Sequence, residues 1–395
     1  MLLEAPSVGH LTVSSLDRSY AAARPDTKYV VLGAGGFVGG AIVERLVRQG
    51  AQVSPIIHRI GPGSAFLARF GLQQRIADLG DPTTLKDVFK GADTAFHCVT
   101  GDRTATVQGL RNALVAAQSA GVRRFVYLSS AAVHGFRPRS PLVEGSPLKP
   151  DSGSDYARNK AAAENIIRNW RGGPESVVLR PSIIYGPRSK YWSETPARQI
   201  VSGTAYLVDQ GRGHMNDIHI EHLLDAMLLT AHHPQAANEV YVLQDGFGLT
   251  WRDYYGSLCE LLGANVDALV NLSWDEVLRS SSKVRQYGQW AKDTPGVLRS
   301  ALWHDPLKAW LKRAPGFESF RQRMASENPA VPRNRGNNGH SPGIIPELQI
   351  ALLHTFPQPI ADSKIRNELG FAPRLSFTET LDGLRRWYRF MGLVR

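Results

Sequence analysis

The chain has 395 residues, 43% of them hydrophobic and 21% charged, the balance of an ordinary soluble globular protein with length for two domains or for one large domain and an appended lobe. A net charge of +11 and a pI near 9.7 favour an anionic partner such as a phosphorylated cofactor, an acidic substrate or a membrane surface. The basic residues are scattered without a nucleic-acid-binding signature, two cysteines (Cys98, Cys259) exclude a disulfide framework, and no leader or long apolar run is present, so a cytoplasmic protein that binds no nucleic acid is expected.

In chain order, residues 1–26 read as a poorly ordered extension. From Lys28 short β-branched runs alternate with helical stretches: the strand "KYVVLG", the helix "GFVGGAIVERLVRQG" ended by Gly50, and then the strands "AQVSPIIHR", "LQQRIADL", "DTAFHCV", "RRFVYLSS" and "SVVLRPS". Between them "PTTLKDVFKGA", "TVQGLRNALVAAQSAG" and an alanine-rich run after Tyr156 read as helices. This alternation predicts an α/β fold, a doubly wound parallel sheet covered on both faces. Beyond about residue 187 the rhythm breaks, although "NDIHIEHLLDAMLLTAHH" and "NEVYVLQ" supply one more helix and strand of the same sheet. The expected division is a nucleotide-binding domain over 27–187, with 217–245 returning to it, and a smaller, mostly helical C-terminal substrate lobe from 188–216 and 246–395. A Pro-, Gly- and Asn-rich loop at 327–345 is expected to be mobile. No internal repeat is found.

The first strand runs into "GAGGFVGG", where Gly33, Gly36 and Gly39 give G-x-x-G-x-x-G. A strand-to-helix turn of this kind brings backbone close to a pyrophosphate at the positive end of a helix, with Phe37 and Val38 packing that helix on the sheet. Its place at the head of a βαβ series predicts binding of NAD(P). The second strand ends in "IIHRIG", with no carboxylate for an adenosine ribose, and Arg59 there suits a 2′-phosphate, a lean towards NADP. Asp78, ending "RIADL", is a candidate partner of the adenine amino group, with Leu79 beside the ring; Asp81 fits better as the cap of the turn that follows. Val99 and Thr100 fall at the end of the fourth strand, where ligands sit in open α/β sheets.

In "SDYARNK", Tyr156 and Lys160 are four residues apart and so share one helical face. The segments "VVLGAGGFVGG", "RRFVYLSSAAVHG", "SDYARNK" and "VVLRPSIIYGPR" together resemble the extended short-chain dehydrogenases/reductases of the NAD-dependent epimerase/dehydratase family. The resemblance covers residues 28–250 and the last 35 residues, while 270–345 match no pattern. It implies a Rossmann-type fold and a site in which Tyr156 is the acid/base, Lys160 tunes the tyrosine and holds the nicotinamide ribose, and Ser130 (with Ser129 the neighbouring candidate) meets the substrate oxygen. A lysine ammonium and the cofactor's positive ring are expected to lower the tyrosine pKa. The resemblance further places Pro181 and Ile183 beside the nicotinamide and implies homodimers formed through the helices after the fourth and fifth strands.

Departures from the family pattern narrow the chemistry. Sugar-nucleotide 4,6-dehydratases carry an Asp-Glu pair where this chain has Ala131 and Ala132, and Asn216 stands where sugar-nucleotide epimerases have an arginine for the diphosphate. His134 replaces a tyrosine, either packed or facing substrate. His214, His219 and His222 have no zinc-motif spacing, so no metal is expected. The stretch 296–324, with Trp303 and Trp310 among basic residues, reads as a packed helical lobe, or alternatively as a peripheral membrane contact or a lid. The function expected is NAD(P)-dependent interconversion of a secondary alcohol and a ketone on a small molecule, a sugar nucleotide or a hydrophobic alcohol or ketone. The alternatives are sugar-nucleotide epimerisation through a transient ketone and a non-catalytic dinucleotide sensor.

Overall fold

Strand β1 (Lys28–Leu32), buried from Tyr29 to Leu32, lies inside a seven-stranded sheet between β4 and β2. The structure, a computed structural model, describes residues 22–135, 141–150, 154–278, 348–357 and 359–394. The elements of its first unit follow the alternation of the sequence: α1 (Phe37–Arg48), β2 (Gln52–Ile57), α2 (Pro62–Ala68), β3 (Arg75–Ile76), β4 (Thr94–His97), α3 (Gly109–Ser119), β5 (Arg124–Leu128), α4 (Asp155–Asn169) and β6 (Glu175–Pro181). Beyond β7 (Ile183–Tyr185) come α5 (Thr195–Ser202), β8 (Tyr206–Val208), β9 (Asp217–His219), α6 (Ile220–His232), β10 (Val240–Leu243), α7 (Trp251–Leu262) and β11 (Val270–Leu272). The chain closes with α8 (Leu348–His354), α9 (Ser363–Leu369) and α10 (Phe377–Phe390).

The sheet order is β10-β6-β5-β4-β1-β2-β3 and every pairing in it is parallel. Alternate residues of β1 face opposite cores. Tyr29 and Val31 join α1 and α6, whereas Val30 and Leu32 join α3 and α4. Burial on both faces is why these strands read as continuous apolar runs rather than as alternating ones. This is the doubly wound, Rossmann-type arrangement expected, with the strand ends after β1, β4 and β5 opening on one edge of the sheet.

Several local expectations are corrected. The extension does not reach residue 26: Ala23 N–H donates to Gln49 Oε1 at 2.9 Å and Arg24 N–H to the Tyr29 hydroxyl at 2.9 Å, which ties these residues to the domain. "PTTLKDVFKGA" forms only a 3-10 turn at Pro82–Leu85, because Asp87 takes a left-handed conformation (φ 60°) that a helix does not accept. Helix α2 follows β2 in a Gly- and Pro-rich stretch that carries little helical signal. Ile360–Thr378 belongs to the first unit, which runs through Gly186 and includes Asn216–Gly246, and not to the C-terminal lobe. Ile365, Leu369 and Phe371 enter its core, and Lys364 and Arg366 bond to Glu239 and to the Gln244 and Asp245 carbonyls. An amphipathic seven-residue helix gives no sign of which core it will join.

The second unit holds Pro187–Met215, the described part of Phe247–Pro359, and the chain from Glu379. Here β8 and β11 pair in parallel, and Tyr206, Val208, Val277 and Ala351 form a small core. Trp251 donates from Nε1 to the Leu353 carbonyl at 2.8 Å and packs on the His354 ring at 4.5 Å. The stretches 296–324 and 327–345 lie outside the described residues. Among the described residues no helix is long and apolar enough to cross a membrane.

Candidate active site

The glycine turn is built as the pattern predicts. Gly33 has φ +76°, and a Cβ there would stand 3.0 Å from the Cys98 carbonyl carbon and 3.2 Å from a Val99 methyl. A Cβ on Gly39 would come within 2.2 Å of the Gly33 oxygen, so the start of α1 packs directly on the turn. The cap of α1 is Gly36, without a side-chain cap bond, and its first turn carries no acidic residue. A twelve-residue helix with uncapped N–H groups and no nearby carboxylate suits an anionic pyrophosphate. Val38 is buried, Phe37 half-buried, and Val99 reaches the same turn from the end of β4, with Thr100 exposed beyond it.

The adenosine side is less crowded. Arg59 is exposed just past β2 and has no partner among the described residues. Asp78 is exposed and accepts a bond from Gly80 N–H at 2.8 Å, while Asp81 caps the following turn through Thr83 N–H at 2.9 Å. Leu79 is buried, its carbonyl held by Asn112 Nδ2 at 2.8 Å.

Ser154 caps α4 by accepting from Ala157 N–H at 3.2 Å, which fixes the rotation of the helix that carries Tyr156 and Lys160. Ser130 ends the β5 segment in extended backbone and accepts from Ala132 N–H at 3.2 Å. Its hydroxyl acts on the Tyr156 phenol, drawing its pKa down, whereas the Ser129 hydroxyl is buried and donates to Glu164. The structure thus separates the two serines the sequence left as neighbours. Lys160 is buried, donating from Nζ to the Leu128 carbonyl at 2.6 Å and the Val99 carbonyl at 3.2 Å, with the Tyr127 ring 4.8 Å away.

The electrostatics differ from expectation at the tyrosine. Although 43% of the Tyr156 surface is exposed, burial around the hydroxyl raises its pKa, and the Ser130 hydroxyl opposes this without overcoming it. The Lys160 ammonium donates to two backbone carbonyls. Burial brings Lys160 itself down to about 8, against the opposing pull of Cys98 and Glu164.

Pro181 and Ile183 are buried at the end of β6 and the start of β7. His134 is packed: its Nδ1 donates to the Pro147 carbonyl at 3.1 Å and its Nε2 accepts from Arg180 at 3.2 Å. Asn216 is committed to backbone, its Oδ1 accepting from Ile360 N–H at 2.8 Å. His222 donates from Nδ1 to Asp245 at 2.8 Å and accepts at Nε2 from Leu375 N–H at 3.1 Å. Sequence reasoning missed Glu164 and Arg180. The signal for the first was present, since Tyr156, Lys160 and Glu164 follow one another at four-residue intervals on one helix face.

The sequence model of the "NAD dependent epimerase/dehydratase family" matches residues 29–243, and the chain belongs to that family. Over 368 residues it is 29% identical to a 4-hydroxy-2-methyl-3-oxo-4-farnesyl-3,4-dihydroquinoline-1-oxide ketoreductase of Stigmatella aurantiaca, covering 90% of this chain and 95% of that protein. It is 28% identical over 256 residues to a 2-alkyl-3-oxoalkanoate reductase of Stenotrophomonas maltophilia, covering 60% and 76%. Its fold is similar to that of a dTDP-glucose 4,6-dehydratase from Streptomyces venezuelae solved with NAD bound, with a TM-score of 0.65 at 20% identity over 93% of this chain and 99% of the other.

Proposed function

We propose that this chain is an NAD(P)-dependent ketoreductase acting on a hydrophobic 3-oxo compound, with Tyr156 the general acid, Ser130 the second donor to the ketone oxygen and Lys160 the group that orients the cofactor ribose. The observation that carries the reading is buried Lys160 one helical turn beyond Tyr156 on α4, its ammonium bonded to the Val99 carbonyl beside the glycine turn, with the Ser130 hydroxyl acting on the Tyr156 phenol.

When bound, the dinucleotide supplies the hydride. The protein's own part is proton delivery and orientation. Reduction of a ketone needs a protonated donor at the oxygen as negative charge builds there. The raised pKa of Tyr156 keeps the phenol protonated at neutral pH, which suits reduction. Dehydration is disfavoured, since Ala131 and Ala132 supply no acid or base. A sugar-nucleotide reading is weakened because Asn216 is tied to Ile360 and carries no charge for a diphosphate. The two relatives are named for 3-oxo substrates bearing farnesyl or alkyl groups, which supports an apolar ketone here.

Arg59, exposed just past β2 and with no partner among the described residues, favours NADPH over NADH. The test is oxidation of NADPH and NADH, followed by absorbance, with a panel of 2-alkyl-3-oxo esters, sterol-like ketones and sugar nucleotides. Net turnover with an apolar ketone is the expected result. A protein that carries tightly held NAD, shows no net turnover and inverts a sugar nucleotide is the result that would replace a ketoreductase by an epimerase.

A further inference from the structure

Beyond Ser130 the chain makes a short 3-10 turn, Ala131–His134, and His134 is its last residue. The Ser130 carbonyl accepts from Val133 N–H at 3.2 Å and the Ser130 hydroxyl from Ala132 N–H at 3.2 Å, so serine and histidine belong to one closed turn. The His134 ring is buried between two groups that are held from elsewhere. On one side Nη1 of Arg180 in β6 lies 3.2 Å from Nε2, and on the other the Pro147 carbonyl lies 3.1 Å from Nδ1. Arg180 is itself fixed by the Glu164 carboxylate of α4, from Nε at 3.0 and 3.1 Å and from Nη2 at 2.6 Å, and by the Glu144 carbonyl at 2.8 Å. The segment that carries Pro147 is anchored too: Val242 N–H of β10 donates to Glu144 Oε1 at 3.0 Å and Ala361 N–H to the Leu142 carbonyl at 2.8 Å. Ser129 secures the strand side of Ser130 through Glu164, and His134 secures the far side.

We propose that His134 is a positioning residue for Ser130: an imidazole protonated at Nδ1 and bare at Nε2, it locks the turn that begins at the serine between Arg180 and the Pro147 carbonyl. This deepens the ketoreductase reading and rests on Ser130 as a donor to the ketone oxygen. The two partners leave one protonation pattern. A guanidinium can only donate, so Nε2 must accept, and a carbonyl can only accept, so Nδ1 must carry the hydrogen. A proton on Nε2 would face the guanidinium, and burial together with Arg180 holds the ring's pKa below the ordinary histidine value. The other side chains of the turn offer no such direction: Ala131 and Val133 are buried and apolar, and apolar contact is non-directional. A donor to a reacting oxygen has to stand within about 0.5 Å of its place. The two bonds on His134 therefore bear on turnover rather than on cofactor affinity.

Two measurements on the full-length protein test this. The first is a two-bond 1H–15N correlation spectrum at neutral pH of protein labelled with 15N in histidine, the His134 signals being identified by their loss in His134→Gln. It should show a hydrogen on Nδ1 and none on Nε2. A ring protonated at Nε2 overturns the proposal, and because no substrate is needed this result stands apart from that of the ketone panel. The second is a cycle of single and double variants assayed with a ketone that the panel shows to be reduced. His134→Leu, which can make neither bond, should lose about 10- to 100-fold in kcat with NAD(P)H affinity within about twofold. His134→Gln, whose amide can serve both partners, should recover most of that loss. Adding His134→Leu to Ser130→Ala should cost little beyond Ser130→Ala alone, because no hydroxyl is then left to position. Should His134→Leu not fold, His134→Phe, a flat apolar ring in the same space, takes its place in the cycle. Full kcat in the apolar variant, or losses that multiply independently in the double variant, overturn the proposal.

Discussion

At Lys160, the group proposed to orient the cofactor ribose, burial works against the charge that role requires. The lysine ends near 8, so at neutral pH most of it is charged. Initial rates of ketone reduction should therefore hold between about pH 6 and 7.5 and fall above about 8 as the ammonium is lost. A pH–rate profile with its alkaline limb near 10 would contradict this. On the cofactor side, Arg59→Ala should weaken NADPH binding by roughly 10- to 100-fold, the size of one charged hydrogen bond, and leave NADH binding nearly as it was. Fluorescence titration with both dinucleotides measures this; equal losses for the two would remove Arg59 from the 2′-phosphate site. Tyr156, Lys160 and Ser130 could be proposed from sequence because the segments around them resemble the family's. Arg180 could not, since a strand arginine between apolar neighbours looks like any strand residue until its buried partner is known.

Among the elements, the junction of β1 and α1 tolerates change very unevenly. A methyl on Gly39 has nowhere to go, 2.2 Å from a backbone oxygen, whereas one on Gly36 meets only the Gly33 oxygen at 3.3 Å. Gly39→Ala should therefore lose about 1–3 kcal/mol of stability and most dinucleotide affinity, and Gly36→Ala much less of both. Urea unfolding paired with cofactor titration would show it; equal effects at the two glycines would mean that the helix can lift off the turn. The alternating strands and helices could be read from sequence because each buries a face of fixed period. The turn at Pro82–Leu85 and the destination of α9 could not. A single left-handed Asp87 decides the first, and contacts made from far along the chain decide the second.

For the whole molecule, buried histidines set the response to acid. His97, His219 and His354 are held near 3 and His232 near 4, all first of all by burial. Below about 6.5 the unfolded chain takes up protons at these rings and the folded one does not, so stability falls as pH drops from 6.5 towards 4. Asp217, raised to about 7, and Asp245 act in the opposite sense over part of that range, since the folded state there binds the extra proton. Four rings outweigh two carboxyls, so the melting temperature should fall between pH 7 and 5. His97→Leu should flatten that fall. A melting temperature that rises on acidification would show that the carboxyls dominate. Sequence alone gave no access to this balance, because it depends on which of the twelve histidines lose their water.

The claim that Tyr156 delivers the proton is tested most directly by Tyr156→Phe assayed beside the unmodified protein with the best ketone of the panel. Turnover should drop by about 10²- to 10⁴-fold while NAD(P)H affinity stays within roughly twofold, the mark of a lost general acid in an intact cofactor site. A Phe variant that reduces the ketone at the original rate would contradict the account.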